Sequence, residues 1–283
     1  MNSAILLVSC PDRAGLVATI TQFIYSRGGN ILHLDQHVDA QANVFFMRVE
    51  WDLARFTLPP SEISHQFEPL AKGFDMRWQL HFSDRRLRMA VFVSRESHAL
   101  YDLLSRWQSG DLPVDIPCVV GNHRDLEAVV RQFGIAFHHI PVEPGEKQRA
   151  EQQQLAILDE QAVDLVVLAK YMQILTPDFI ARYPQRIINI HHSFLPAFVG
   201  AKPYHQAFER GVKIIGATSH YVTEDLDAGP IIEQDVTRVT HKDSIADLVR
   251  RGKDLEKTVL SRAVYYHVQH RVLVYNNKTI VFS

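Results

Sequence analysis

The stretch that decides the fold runs from Ile187 to Gln234 and reads IINIHHSFLPAFVGAKPYHQAFERGVKIIGATSHYVTEDLDAGPIIEQ. An apolar strand ends there in Asn189, Ile190, His191 and His192. A second apolar run, Ile214 to Val222, leads into the turn Thr223 to Gly229, which carries Glu224, Asp225 and Asp227. Strand side chains alternate with period two, so Asn189 and His191 share one face. Open α/β sheets place their ligands beyond the carboxyl ends of the strands. Both runs are therefore expected to deliver polar groups, each at the C-terminal end of a buried strand, to one crevice.

Outward from this stretch the chain alternates strands and helices. Met89 to Val93, Cys118 to Val120 and Leu165 to Leu168 are apolar throughout, as strands buried on both faces are. Between them, helices are predicted over Ala99 to Gln108, with Leu100, Leu103, Leu104 and Trp107 on one face, over Asp125 to Phe133 and over Glu146 to Asp159. Beyond Gln234, Ser244 to His267 reads as a long amphipathic helix. Val272 to Phe282 reads as a hairpin turning at Asn276 and Asn277. This is the pattern of a Rossmann-like α/β domain with a mostly parallel sheet, here residues 85–283.

Residues 1–84 keep a different rhythm. Strands are predicted over Ala4 to Ser9, Asn30 to Val38, Val44 to Trp51 and Met76 to Phe82, and a helix over Ala14 to Tyr25. A second helix follows Pro59 and Pro60, capped by Ser61 and ending near Lys72. The order β-α-β-β-α-β is the ferredoxin-like arrangement.

Composition narrows the function. The 283 residues carry 30 Lys and Arg against 32 Asp and Glu, a formal net charge of −2, so no basic field gathers nucleic acid or anionic lipid. The two cysteines, Cys10 and Cys118, lie in different domains beside apolar strands and read as core residues in a reducing compartment. The N-terminus lacks a basic leader, and no apolar run reaches the roughly 20 residues a membrane span needs, so a cytoplasmic protein is expected.

Asn189 and His191 suit acyl chemistry, because an amide N–H polarises a carbonyl and an imidazole stabilises an oxyanion or moves a proton near neutrality. The motif is short, and a strand-end Asn capping a turn beside a packed His has the same letters. The turn after Ile214–Val222 weighs for chemistry: apolar flanks hold it, so the Asp227 carboxylate can orient the imidazole and stabilise its cationic form. His191, His192, His205 and His220 with Asp225 or Asp227 would make an alternative metal-ligand set. No compact HExxH or CxxC spacing supports it, and no metal is expected. Ser193 lacks the glycines of a nucleophile elbow.

These residues resemble the signature of the folate-dependent formyltransferase superfamily, whose members share Asn, His and Asp as a catalytic set. AVFVSRESHALYDLL (residues 90–104), LAKYMQIL (residues 168–175) and RRGKDLE (residues 250–256) extend the likeness over the whole domain. The likeness is greatest to the branch that hydrolyses 10-formyltetrahydrofolate to tetrahydrofolate and formate, supplying formate for purine biosynthesis. The resemblance implies that Asn189, His191 and Asp227 are catalytic and that no cofactor is needed, folate being the substrate. It implies that Tyr171, Met172, Gln173, Ile174, Leu175 and His220 bind the substrate, and that Asp227 accepts the proton of the attacking water. Transferases of this superfamily that formylate glycinamide ribonucleotide hold its phosphate in a glycine-rich turn. Here the equivalent turn, Ser94 to His98, has no glycine and adds Glu96. A formyltransferase with another amine acceptor is the alternative, and a non-catalytic folate-binding sensor is a third reading.

Residues 1–84 are similar to ACT domains, regulatory modules that bind amino acids, on the evidence of CPDRAGL (residues 10–16) and GGNI (residues 28–31). The likeness implies methionine or glycine as effectors, with Asp12, Gly15, Asn30 and Ile31 as the binding positions, and a homo-oligomer. The roles of His192 and Lys202 are left open.

Overall fold

The computed structural model describes residues 2–196 and 203–282, and Lys202 lies outside them. The chain divides into two compact units. One is Met1–Arg86 with His270–Leu273 and Ile280–Ser283; the other is Leu87–Gln269 with Val274–Thr279.

In the first unit, β1 (Ser3–Pro11), α1 (Leu16–Tyr25), β2 (Asn30–Asp39), β3 (Val44–Asp52), α2 (Pro60–Gly73) and β4 (Arg77–Phe82) follow the predicted order. The strands form an antiparallel sheet in the order β2-β3-β1-β4. Alternate residues Leu6 and Val8 of β1 and Met47, Val49 and Trp51 of β3 pack against Ile20 and Ile24 of α1 and Ile63 and Phe67 of α2. Phe67 receives Phe23 and Trp78 edge-on, the geometry favoured by the ring quadrupole. The Ser61 cap is corrected: Pro60 opens α2, and Pro59 takes the cap position with extended backbone. Proline suits the first helical turn, where its missing N–H has no partner to lose.

The second unit contains β5 (Leu87–Val93), α3 (His98–Ser109), β6 (Val114–Asp115), β7 (Cys118–Gly121), α4 (Glu127–Gln132), β8 (Ala136–His139), α5 (Lys147–Glu160) and β9 (Leu165–Leu168). It continues through α6 (Pro177–Arg182), β10 (Ile187–His191), α7 (Pro203–Glu209), β11 (Ile214–Tyr221), β12 (Ile231–Arg238) and α8 (Ile245–Val268). The final hairpin, β13 (Val272–Tyr275) and β14 (Lys278–Val281), has the predicted turn. The main sheet runs β12-β11-β10-β9-β5-β7-β8, with β6 beside β5. Pairing is parallel from β8 to β10, but β11 is antiparallel to both β10 and β12. A capping box between Ser244 and Asp247 starts α8 at the residue the sequence predicts.

The antiparallel β11 changes how the site is assembled. The carboxyl end of β11 lies beside Ile188 near the start of β10, not at the common crevice, because Tyr221 pairs with Ile188 and Thr218 with His191. The polar groups of both strands nevertheless meet, since His220 is the cross-strand partner of Asn189 and directly paired residues project from the same face. The turn from Thr223 to Gly229 then folds back over that face. Gly229 permits this: a Cβ there would coincide with the carbonyl oxygen of Tyr221.

Candidate active site

β10 carries Asn189 and His191 on one face, and both line a cavity of about 450 Å³ together with Lys170, His220 and Asp227. The acidic turn sorts its three carboxylates. Glu224 and Asp225 are exposed, whereas the Asp227 side chain is only 15 % exposed and faces two imidazoles. Asp227 adopts φ +54°, in the left-handed region that Asp tolerates better than most residues. Its carboxylate lies 3.2 Å from His191 Nδ1 and 3.6 Å from His220 Nε2. The hydrogen bonds from His191 and then His220 hold the Asp227 carboxyl well below the usual carboxylate range, against a smaller opposing effect of burial.

Hydrogen bonding places a proton on Nδ1 of both rings. His220 Nδ1 is 2.9 Å from the Tyr221 carbonyl, which can only accept, so Nδ1 carries a proton. Its Nε2 faces both Asp227 Oδ1, at 3.6 Å, and Asn189 Nδ2, at 3.3 Å. His191 donates from Nδ1 to Asp227, which leaves Nε2 with its lone pair. That nitrogen is buried and has no hydrogen-bond partner among the described residues. A buried polar atom without a partner carries a desolvation cost that a bound group would relieve.

The opposite wall is the loop from Ala169 to Thr176. Met172 and Ile174 are exposed, at 61 % and 59 %, and with Gln173 they line the cavity. Tyr171 and Leu175 line it too but belong to the hydrophobic core. The Tyr171 ring meets Phe92 edge-on, and its hydroxyl accepts from Gln154. Three anchors hold this loop: Ser94 Oγ accepts from the Met172 amide, Gln154 binds Tyr171, and Glu151 accepts both the amide and the hydroxyl of Thr176. Ser94, Glu151 and Gln154 come from other elements, and nothing in their local sequence marks them.

The turn from Ser94 to His98 is filled from within. Glu96 pairs with Lys253 Nζ at 2.6 Å, and His98 Nε2 lies 2.8 Å from Glu256 Oε2. Of the alternative metal-ligand set, His205 and Asp225 are exposed and apart from the His191, His220 and Asp227 cluster, and no group of three or more His, Cys, Asp or Glu among the described residues is arranged to hold an ion. No helix among them is long and apolar enough to cross a membrane.

In the first unit, Gly15 starts α1 with φ +91° and open space where a side chain would stand. Asn30 is exposed and Ile31 half-buried at the start of edge strand β2, and the Asp12 amide donates to Asn43.

Residues 87–264 match the formyl transferase family model and residues 4–50 the ACT domain model. The chain is 55 % identical to a formyltetrahydrofolate deformylase of Synechocystis sp. over 99 % of each chain. The crystal structure of a formyltetrahydrofolate deformylase from Pseudomonas syringae pv. tomato superposes with a TM-score of 0.98 at 48 % identity, over 100 % of this chain and 95 % of that one. A glycinamide ribonucleotide transformylase from Symbiobacterium toebii is more distant, with a TM-score of 0.67 at 30 % identity over 72 % of this chain and 98 % of its own.

Proposed function

This chain belongs to the formyltetrahydrofolate deformylases, and we propose that Asn189, His191 and Asp227 carry out its hydrolysis of 10-formyltetrahydrofolate to tetrahydrofolate and formate. The observation that carries the assignment is the convergence of an amide, two imidazoles and one carboxylate in a single cavity, with spacings of 3.2 to 3.6 Å.

The pterin lies against Met172, Gln173 and Ile174, with Tyr171 and Leu175 backing the wall. The formyl oxygen takes an Asn189 N–H, so that negative charge developing on it meets a preorganised donor. The sequence-based role for Asp227 changes here. A carboxylate held well below its usual range is a poor resting base, so the proton of the attacking water passes to His191 Nε2. Asp227 compensates the imidazolium through Nδ1. When the C–N bond breaks, His191 returns that proton to N10.

The turn from Ser94 to His98 has no glycine and carries the Glu96 carboxylate, a like charge to a phosphate, which favours water over a phosphorylated amine as acceptor. The released formate is available to purine synthesis. Methionine or glycine binds the ACT domain at Asp12, Gly15, Asn30 and Ile31, where an exposed Asn and an unobstructed glycine give a ligand access to backbone groups. That domain also supports a homo-oligomer.

Purified protein given 10-formyltetrahydrofolate and water alone is expected to release formate and tetrahydrofolate in equal amounts. Loss of 10-formyltetrahydrofolate that required an added amine and gave its formamide in place of formate would overturn the hydrolytic reading.

A further inference from the structure

Behind the histidine pair lies a buried ionic cluster that the reaction as described does not use. Glu256, on α8, is 1 % exposed, and its carboxylate accepts from His98 Nε2 at 2.8 Å, Lys170 Nζ at 3.2 Å and Tyr204 Oη at 2.7 Å. Burial pushes this carboxyl up, but the His98 hydrogen bond, the Lys170 ammonium and the Tyr204 hydroxyl together hold it down to about 2. Such a pair survives burial only when its remaining hydrogen-bonding capacity is filled, as it is here.

Two backbone features are committed to this arrangement. Gly252 lies one turn before Glu256, and a Cβ there would coincide with the Tyr204 ring, so α8 is notched to let the hydroxyl reach the carboxylate. Lys170 has φ +62°, a conformation a non-glycine residue keeps only when its surroundings demand it. With its side chain 9 % exposed, Lys170 also places Nζ 3.2 Å from His192 Nδ1. An ammonium only donates, so Nδ1 is the accepting nitrogen and the neutral His192 ring carries its proton on Nε2. That ring stacks on His191, with centroids 4.9 Å apart and planes 16° from parallel.

We infer that Lys170, held in place by Glu256, is a positioning residue for the hydrolysis: it fixes the tautomer and plane of His192, whose ring in turn braces catalytic His191. Asp227 fixes His191 through Nδ1, and His192 supports it from its face. The inference rests on the catalytic assignment above. Sub-ångström errors in the attitude of a reacting group are costly, on the order of tenfold to a hundredfold in turnover.

The test combines kinetics with ¹⁵N NMR of histidine-labelled protein. In the wild type, two-bond couplings are expected to show His192 protonated on Nε2; a spectrum showing the Nδ1–H tautomer overturns the inference and requires no variant. Lys170→Met is expected to lower kcat on the order of tenfold to a hundredfold while KM changes less than about threefold, and to mix the His192 tautomers. Lys170→Met with Glu256→Gln should cost no more than Lys170→Met alone, since both remove one interaction. Tyr204→Phe keeps both charges and should retain the Nε2–H tautomer. A Lys170→Met enzyme within twofold of wild-type kcat, or strictly additive losses in the double variant, refutes the positioning role. A wild type that releases no formate refutes the catalytic assignment instead, so the two failures are distinguishable.

Discussion

The two units present their candidate residues in opposite ways. In the second, Asn189, His191, His220 and Asp227 are side chains already bonded to one another through contacts of 3.2 to 3.6 Å. In the first, Asp12, Gly15, Asn30 and Ile31 bond elsewhere: the Asp12 amide to Asn43, the Gly15 carbonyl to Thr19, and Asn30 and Ile31 across the ladder to Asp52 and Trp51. The difference matches what each proposed task requires. Dipoles that stabilise a transition state must be oriented before the reaction, because reorienting them consumes the stabilisation they provide. An effector site can instead be completed by its ligand, so the positions need access more than mutual order.

The sharpest way to break this contrast is Asp227→Asn. The amide cannot compensate a cationic His191, and turnover should fall on the order of 10³–10⁴ with folding intact, read as single-turnover formate release. Near-wild-type rates would show that the cluster is structural. Asn189→Ala should fall on the order of 10²–10³, the value of one oxyanion donor.

Glycine substitutions sharpen the comparison further. Gly229→Ala drives a methyl into the Tyr221 carbonyl and should cost about 2 kcal/mol or more in urea unfolding, together with most of the activity. Gly15→Ala meets no neighbour and is penalised only by φ +91°, so about 1 kcal/mol is expected with basal turnover unchanged. Equal costs would show that the return of the 223–229 turn is not what holds Asp227.

Acid should act on the second unit through Glu256. Its folded carboxyl sits at about 2 against an ordinary 4.5, so its stabilising contribution is complete above pH 4.5 and is lost as pH falls toward 2. Glu256→Gln should flatten that limb of a stability–pH curve, and an unchanged limb would remove Glu256 from the account. The smallest effect is expected in the first unit. Methionine or glycine should change the rate or melting temperature severalfold or by a few degrees, and Asn30→Ala should abolish the response without altering basal activity. A chain indifferent to both would leave the ACT domain without these effectors.

Much of this was legible in the letters. The β1 to β4 unit, the long α8 with its Ser244 cap and the terminal hairpin all follow from periodicity and turn chemistry. Other elements were not read. β8 is four residues, two of them histidine, and α6 spans only Pro177–Arg182, too short for a helical period to register, although Thr176 and Pro177 carry the signal of a helix start. Asn189, His191 and Asp227 were singled out from the sequence, and the structure brings them to one cavity. The tether of His220 to Asn189, the loop anchors Glu151 and Gln154, and the place of Glu256 beside Lys170 were not.

What the sequence determined by itself is local: where apolar period two gives way to period 3.6, where caps and turns interrupt them, and which polar side chains stand at the ends of the apolar runs. Only the tertiary structure decided that β11 runs antiparallel to β10, that His220 stands beside Asn189, and that a lysine beyond β9 meets a glutamate on α8. The reason is physical. Period and capping energies act over a few residues, whereas a buried charge is tolerated only where distant segments bring its partners, and that condition is met by the packed fold as a whole.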